Sequence, residues 1–102
     1  MNLRTIDLNL LPVLEAIYVE RSLTRASESL HITQPAVSNA LARLRVHFED
    51  PLFVREGRGV KPTAMADALM PAVRDALDRL RAGLEQRSTF EPSRSTRVFN
   101  IS

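Results

Sequence analysis

The stretch His31–Arg45, HITQPAVSNALARLR, contains polar side chains that are suited to hydrogen bonding with nucleic-acid bases. Gln34 can form the paired donor and acceptor bonds that the edge of adenine presents, and Arg43 matches guanine or a backbone phosphate. Ser38 and Asn39 lie between them and can bond base edges or phosphate. A solvated helix face is the alternative interpretation of the same residues.

The same stretch predicts a helix that is apolar on one side only. Thr33 is a typical N-cap, and Pro35 lies so early that its missing N–H would have had no partner within the helix. Apolar residues recur at three and four positions and predict a buried stripe of Val37, Ala40, Leu41, Leu44 and Phe48. The exposed side then begins with small residues at the positive end of the helix, which can enter a major groove about 12 Å wide. Arg45, near the other end, is interpreted as a phosphate contact or a surface charge.

Length and composition indicate one compact, mostly α domain. The chain has 102 residues, of which 44% are hydrophobic and 5% aromatic, and this favours packed helices over a strand-rich sandwich. The net charge is only +2, but residues 31–48 contain arginines and no acidic residue, so we expect a local positive potential. The absence of cysteine excludes disulfides and Cys-based metal sites and fits a cytoplasmic compartment. Polar residues and Pro12 interrupt the apolar residues at the amino terminus. We therefore expect neither a signal peptide nor a membrane span there.

Two shorter helices are predicted before this element. Asp7 or Asn9 can cap the first, which runs to about Arg21. Ser22 caps the second, residues 23–30, whose predicted inward face is Leu23, Ala26, Ser27 and Leu30. The small residues Ala26 and Ser27 on that face allow close helix approach.

The segment LFVREGRGVKP, residues 52–62, predicts a β-hairpin with a basic tip. Two short strand-like runs flank a turn that contains Gly57 and Gly59. Arg58 lies between these glycines and can reach beyond the tip into a minor groove, while Arg55 and Lys61 are placed to meet phosphates. An ordinary charged loop is the alternative, and the glycine spacing does not match a nucleotide-binding loop.

The remainder of the chain predicts one long helix and a tail. Thr63 caps a helix that extends to about Gln86 and has a broad apolar surface. Residues 87–96 are turn-prone, and RVFNIS at the end alternates like a strand that has no partner in the chain. We interpret residues 87–102 as a hinge and the cut edge of a second domain.

Three short helices, a tight turn before the third and a following hairpin form the order of a winged helix-turn-helix. The residues LTRASESLHITQPAVSNALARLRVHFEDPLFVREGRGVKPT, from Leu23 to Thr63, resemble the DNA-binding domain of LysR-type transcriptional regulators. The resemblance includes the small-residue helix, the s-Q-p-a-V-S and L-F-x-R patterns and the Thr-capped linker helix. It implies a winged helix-turn-helix in residues 1–62 and a linker and dimerisation helix in residues 63–86. The segments TQPAVSNALARLR and DPLFVR are more similar to regulators of nodulation and aromatic degradation.

The resemblance implies sequence-specific binding of double-stranded DNA at a pseudo-palindromic promoter site. It assigns the major groove to the third helix through Thr33, Gln34, Pro35, Ser38 and Asn39, and it assigns Arg58 to the wing. Together with Arg43, Arg55 and Lys61, these residues form the predicted DNA-binding site.

The resemblance also implies a homodimer through the long helix, which is too apolar for a single partner. The residues expected to contribute to the dimer are Met65, Leu69, Ala72, Val73, Ala76, Leu80 and Leu84. The resemblance implies that residues 87–102 are a hinge and the start of a missing effector-binding domain. In the full-length protein it implies a tetramer, a small-molecule inducer bound by that domain and RNA polymerase as a further partner. We expect no cofactor in this fragment and no membrane association.

Other function classes fit the residues less well. An enzyme needs convergent catalytic groups, whereas the chain has only His31 and His47, no cysteine and scattered carboxylates. A metal site from these two histidines lacks a third ligand, so capping or surface roles are favoured. The main rival is a helical interaction module in which nucleic acid has no part. Such a module gives no reason for cations on both the third helix and the hairpin tip, at Arg43, Arg55, Arg58 and Lys61.

Overall fold

The structure is a computed structural model that describes residues 7–90, with side chains up to residue 85. Its elements, in chain order, are a short 3-10 helix (Leu8–Leu10), α1 (Leu11–Glu20), α2 (Leu23–Leu30), α3 (Gln34–Phe48), β1 (Phe53–Glu56), β2 (Gly59–Pro62) and α4 (Ala64–Phe90). This is the predicted winged helix-turn-helix followed by a long helix. None of the helices within residues 7–90 combines the length and apolar character needed to cross a membrane.

The predicted capping residues begin the helices. The Ser22 hydroxyl accepts the Arg25 N–H at 3.1 Å, and the Thr33 hydroxyl accepts the Ala36 N–H at 3.2 Å. Asp7 accepts the Asn9 N–H at 2.9 Å and starts the 3-10 turn that leads into α1. Each cap satisfies an amide that has no partner within its helix.

The first three helices end at non-glycine residues in the left-handed conformation. Arg21, His31 and Glu49 have φ values of 56°, 59° and 54° and form the C-caps of α1, α2 and α3. The His31 N–H bonds the carbonyls of Glu28 and Ser27, so this histidine has the predicted capping position.

The core lies between α1, α2, α3 and the inner face of α4. Leu14 and Ile17 of α1 are fully buried, and Ala26 and Ser27 bring α2 close to them. The predicted stripe of α3 is confirmed, with all five side chains buried: Val37, Ala40, Leu41, Leu44 and Phe48. Packing of these apolar faces supplies the main stabilisation of the fold.

The wing is an antiparallel hairpin with a two-residue turn. Its register pairs Phe53 with Pro62 and Glu56 with Gly59, so Gly57 and Arg58 form the turn and Gly59 belongs to β2. Gly57 has φ +60°, which glycine adopts without a steric penalty.

Helix α4 differs from the prediction in its length and in one of its faces. It extends to Phe90, beyond the predicted end at Gln86, and residues 91–102 of the predicted hinge and strand lie outside the described residues.

Val73, expected at the dimer surface, is only 7% exposed and packs in the core of its own chain, as do Met70 and Leu77. Spacings of three and four residues place these side chains on one face, so Val73 does not belong to the outward surface.

Candidate nucleic-acid interface

The first turn and the outer face of α3 are exposed together. Thr33, Gln34 and Pro35 are exposed at the start of the helix, and Ser38 and Asn39 follow one turn later on the same side. Val37, between these positions, is fully buried, which anchors the helix and leaves the polar side chains outside. Within residues 7–90, no hydrogen bond engages the side chains of Gln34, Ser38 or Asn39. Their donors and acceptors are therefore available to a ligand.

The arrangement at this end of α3 also leaves room for a ligand. Ala36 and Pro35 are small and exposed beside Gln34, and no acidic residue lies in the first turn of the helix. The amino-terminal end of the helix carries a partial positive charge, which favours an approaching phosphate.

Arg43 extends this face toward the carboxyl end of α3. Its Nη2 lies 3.6 Å from the Asp7 carboxylate, and its side chain remains 63% exposed. A surface pair of this kind contributes about 0–1 kcal/mol, so it leaves Arg43 able to exchange Asp7 for a phosphate or a base.

The wing places its cations beside the start of α2. Arg55 and Arg58 line a cleft of 210 Å3 with Ser22 and Thr24. Lys61 is exposed on β2 and lies 3.8 Å from Glu56. The basic tip predicted from the sequence therefore faces the amino-terminal end of a second helix.

Arg25 belongs to the same region and was missed by the sequence analysis. It is exposed in the first turn of α2 and lines a cleft of 260 Å3 with Arg21 and Arg58, while Glu20 is the acidic residue in that lining. The signal that could have found it is its position: the first helix of a helix-turn-helix crosses the nucleic-acid backbone, and Arg25 is three residues after the cap of that helix.

Arg45 is exposed, in agreement with the predicted surface charge, and it also has a structural role that the sequence analysis did not predict. Its Nε donates to the Pro51 carbonyl at 2.8 Å, and its Nη2 donates to the Phe53 carbonyl at 3.0 Å. These bonds fasten the end of α3 to the start of the wing. The contact could not be read from helical periodicity because it joins α3 to a separate segment of the chain.

The two histidines lie in different surroundings. His31 is exposed at the end of α2, whereas the half-buried His47 ring packs edge-on against Phe48 with centroids 5.1 Å apart. Within residues 7–90 no group of three or more His, Cys, Asp or Glu residues is arranged to hold a metal ion.

Comparison with known proteins identifies the family. The family model described as "Bacterial regulatory helix-turn-helix protein, lysR family" matches residues 8–67. The chain belongs to the LysR family. That match covers α1, α2 and α3, which together form the winged-helix body, and also the wing and the start of α4.

This LysR-family chain is similar to full-length proteins that are about three times longer. It is 52% identical over 99 residues to the HTH-type transcriptional regulator LeuO of Escherichia coli (strain K12), covering 97% of this chain and 31% of LeuO. It is 46% identical over 101 residues to Nodulation protein D 2 of Rhizobium tropici, covering 99% of this chain and 32% of that protein. The predicted similarity to nodulation regulators is confirmed. The chain spans about a third of the length of these relatives.

Solved structures share the fold of the LysR-family chain. A probable transcriptional regulator from Pseudomonas aeruginosa superposes with a TM-score of 0.80 at 45% identity, covering 82% of this chain and 28% of that one. The CbnR DNA-binding domain, solved as a DNA complex, superposes with a TM-score of 0.72 at 23% identity, covering 84% and 100%. Because the CbnR domain is only 23% identical, this superposition shows that the two domains share a fold and nothing more.

Proposed function

We propose that this LysR-family domain binds double-stranded DNA sequence-specifically, as part of a longer bacterial transcriptional regulator that acts in the cytoplasm. The observation that carries the proposal is the exposed face of α3, where Gln34, Ser38 and Asn39 have no partner within residues 7–90. Family membership and the DNA-bound CbnR domain of the same fold support it.

In this proposal α3 lies in the major groove. Its first turn enters first because Pro35 and Ala36 are too small to hold the helix away from the base edges. Gln34 then reaches an adenine edge, and Ser38 and Asn39 reach the neighbouring bases or phosphates. Thr33 caps α3, and the remaining free N–H groups of the first turn of α3 are proposed to face the phosphates of the DNA backbone.

Phosphate contacts around α3 fix the register of the domain. Arg43 lies beside Asp7, whereas Arg55 and Arg58 of the wing lie beside α2, where Arg58 shares a cleft with Arg25. Contacts with phosphates supply affinity and orientation without reading sequence, and they make binding steeply dependent on salt. Arg58, at the two-residue turn, is the wing residue proposed to enter the minor groove.

A second copy is proposed to pair through the outward face of α4. Large apolar side chains there are exposed in the single chain: Met65 by 38% and Leu80 by 54%. Leu84 continues the line of Val73 and Leu77 by two helical turns but is 63% exposed, and it is proposed to join the contact beyond the core. Leu69, Ala72 and Ala76 complete the proposed surface. A two-fold axis through α4 presents two α3 helices to half-sites that are separated by whole turns of DNA, which is why a pseudo-palindromic site is expected.

The remaining partners belong to the longer protein. We propose that an effector domain, which starts within the last residues of this chain and continues beyond residue 102, binds a small-molecule inducer. We also propose that full-length chains form tetramers and that RNA polymerase is contacted at the promoter. These proposals rest on the family and on the length of the relatives.

The proposed function is tested by selecting random duplex DNA with the 102-residue chain and titrating the enriched site across salt concentrations. We expect a two-fold symmetric site and a steep salt dependence. Gln34→Ala should reduce affinity for the selected site more than for random DNA, whereas Lys61→Ala should weaken both alike and flatten the log–log salt slope by about one unit. Arg79→Ala, which removes an 81% exposed arginine from α4, is the matched control. It should change neither the affinity for the two kinds of DNA nor the salt slope. A folded sample that enriches no sequence would favour the interaction module.

A further inference from the structure

Glu15 of α1 lies between two arginines of α4. Its carboxylate accepts a hydrogen bond from Arg81 Nη2 at 2.9 Å and lies 3.8 Å from Arg74 Nε. The Glu15 side chain is only 18% exposed, whereas both arginines are about half exposed. The hydrogen bond with Glu15 raises the pKa of Arg81, consistent with a close charge-assisted contact.

The two arginines are spaced to hold one carboxylate from both sides. Residues 74 and 81 are about two helical turns apart and therefore lie on the same face of α4. Glu15 thus makes contacts at two levels of the long helix, which resists tilting of α4 in a way that a single ion pair does not.

These contacts extend beyond the apolar packing between α4 and the body. The buried residues of α4 within the part whose side chains the structure describes are Ala66, Met70, Val73 and Leu77, and residues 78–85 are all exposed. Arg81 lies one turn past Leu77. At the other end, the Tyr18 hydroxyl donates to Asp67 at 2.9 Å in the first turn of α4. Packing of apolar side chains restricts the crossing angle of two helices only to within about 15–20°, so the directional polar contacts at its two ends narrow the angle further.

A small change of this angle has a large effect at the end of the helix. The 27 residues of α4 span about 40 Å at 1.5 Å per residue. A tilt of about 10° at the body moves the far end by about 7 Å, which is roughly two base-pair steps of 3.4 Å.

We propose that Glu15 determines the half-site spacing that the dimer accepts, by holding α4 at one angle to the winged-helix body through Arg74 and Arg81. The proposal rests on the proposed function, because it requires two bodies joined through α4. Glu15 is on α1, away from the polar face of α3, and acts as a positioning residue that touches no DNA.

The experiment measures affinity for duplexes that carry two selected half-sites with base pairs inserted or removed between them. The wild-type chain should favour one spacing over its neighbours by about tenfold. Glu15→Gln should reduce this preference to about twofold or less, while affinity for a duplex with one half-site stays within about twofold of wild type. Arg81→Gln should reproduce the effect, and Arg81→Lys, which keeps the cation, should retain most of the preference.

Asp78→Asn is the matched control. Asp78 is 74% exposed and lies 3.5 Å from Arg81, so its replacement removes a charge next to the same arginine and leaves both contacts of Glu15 in place. The spacing preference of this variant should match the wild type. If Glu15→Gln does not fold, Arg81→Gln decides the matter because Arg81 is 53% exposed and outside the core.

Failure of the proposal is distinguishable from failure of the proposed function. A wild-type chain that enriches no DNA contradicts the proposed function and the spacing role together. Binding to a single half-site with no preferred spacing contradicts the dimer and the spacing role but leaves DNA recognition intact. A wild-type preference that Glu15→Gln and Arg81→Gln both retain overturns the role of Glu15 alone.

Discussion

The backbone carbonyl of Arg21 lies directly against Gly59. The Val60 N–H donates to this carbonyl at 3.0 Å, and a Cβ atom at Gly59 would collide with the same oxygen. Arg21 is itself held in place, since its guanidinium lies 4.7 Å above the centre of the Tyr18 ring. The wing is therefore docked on the turn between α1 and α2 by a backbone approach that requires glycine.

Gly59→Ala should destabilise the domain by about 1–3 kcal/mol, because the new methyl group forces the backbone of the wing away from Arg21. Urea unfolding measures the change, and affinity for DNA should fall as the wing is displaced. The control is Gly83→Ala, where a Cβ meets open space on α4 and should stabilise the helix by about 0.5–1 kcal/mol. Equal unfolding midpoints for wild type and Gly59→Ala would contradict the close approach.

Arg45→Gln should mainly lower the stability of the domain, whereas Arg43→Gln should mainly weaken DNA binding. Loss of Arg45 leaves the Pro51 and Phe53 carbonyls without their donor, so the free energy of unfolding should fall by about 1–3 kcal/mol. Arg43→Gln removes only an exposed pair with Asp7 and should change stability by about 0.5 kcal/mol or less while weakening DNA binding. Denaturant titration and binding at one salt concentration separate the two roles. Stability loss in Arg43→Gln alone would reverse the assignment.

Asp50 should be required for the junction between α3, the wing and α4. Its carboxylate accepts the Leu52 N–H at 2.8 Å and the Thr63 hydroxyl at 2.7 Å, and Leu52 is fully buried with φ 66°. Asp50→Ala should lower the free energy of unfolding by about 1–3 kcal/mol because both donors lose their acceptor. Asp75→Ala, at an exposed pair with Arg79, should lie within about 0.5 kcal/mol of wild type. Similar urea midpoints for the two variants would argue against the junction.

Leu80→Asp should separate the proposed dimer without unfolding the chain. Leu80 is 54% exposed, so a carboxylate there is solvated in the monomer but is buried without a partner at an α4–α4 contact. Sedimentation should show at least about a tenfold weaker association. Leu77→Asp is the contrasting variant: Leu77 is 6% exposed, and its replacement should unfold the domain. An unchanged sedimentation mass for Leu80→Asp would place the dimer contact elsewhere.

Tyr18 should make the stability of the domain fall at alkaline pH. Its hydroxyl donates to Asp67, and this hydrogen bond raises the pKa of Tyr18 above its ordinary value of 10.0. Because the folded-state pKa is raised, the contribution is fully present below about pH 10 and is lost as pH rises through the folded pKa. Urea unfolding between neutral pH and pH 11 should show a steeper alkaline decline for wild type than for Tyr18→Phe. Parallel profiles would show that the Tyr18–Asp67 bond does not stabilise the fold.

The predictions that succeeded came from features that act over a few residues. Ser22 and Thr33 cap their helices as their types indicate, and the spacing of apolar residues located the buried stripe of α3. The exposed positions of Ser38 and Asn39 followed from the same periodicity. The end of α4 was less predictable because Arg87 to Phe90 continue the helix through a segment whose composition is typical of a turn.

The sequence by itself determined the helix starts, the buried stripe and the polar face of α3, because capping and periodicity are local. Only the tertiary structure decided that Arg45 bonds carbonyls at the start of the wing, that Gly59 lies against Arg21 and that Val73 packs inward. The physical reason is that these contacts join different elements of the fold. Their distances are set by how the helices and the wing pack, which no local pattern of residue types specifies.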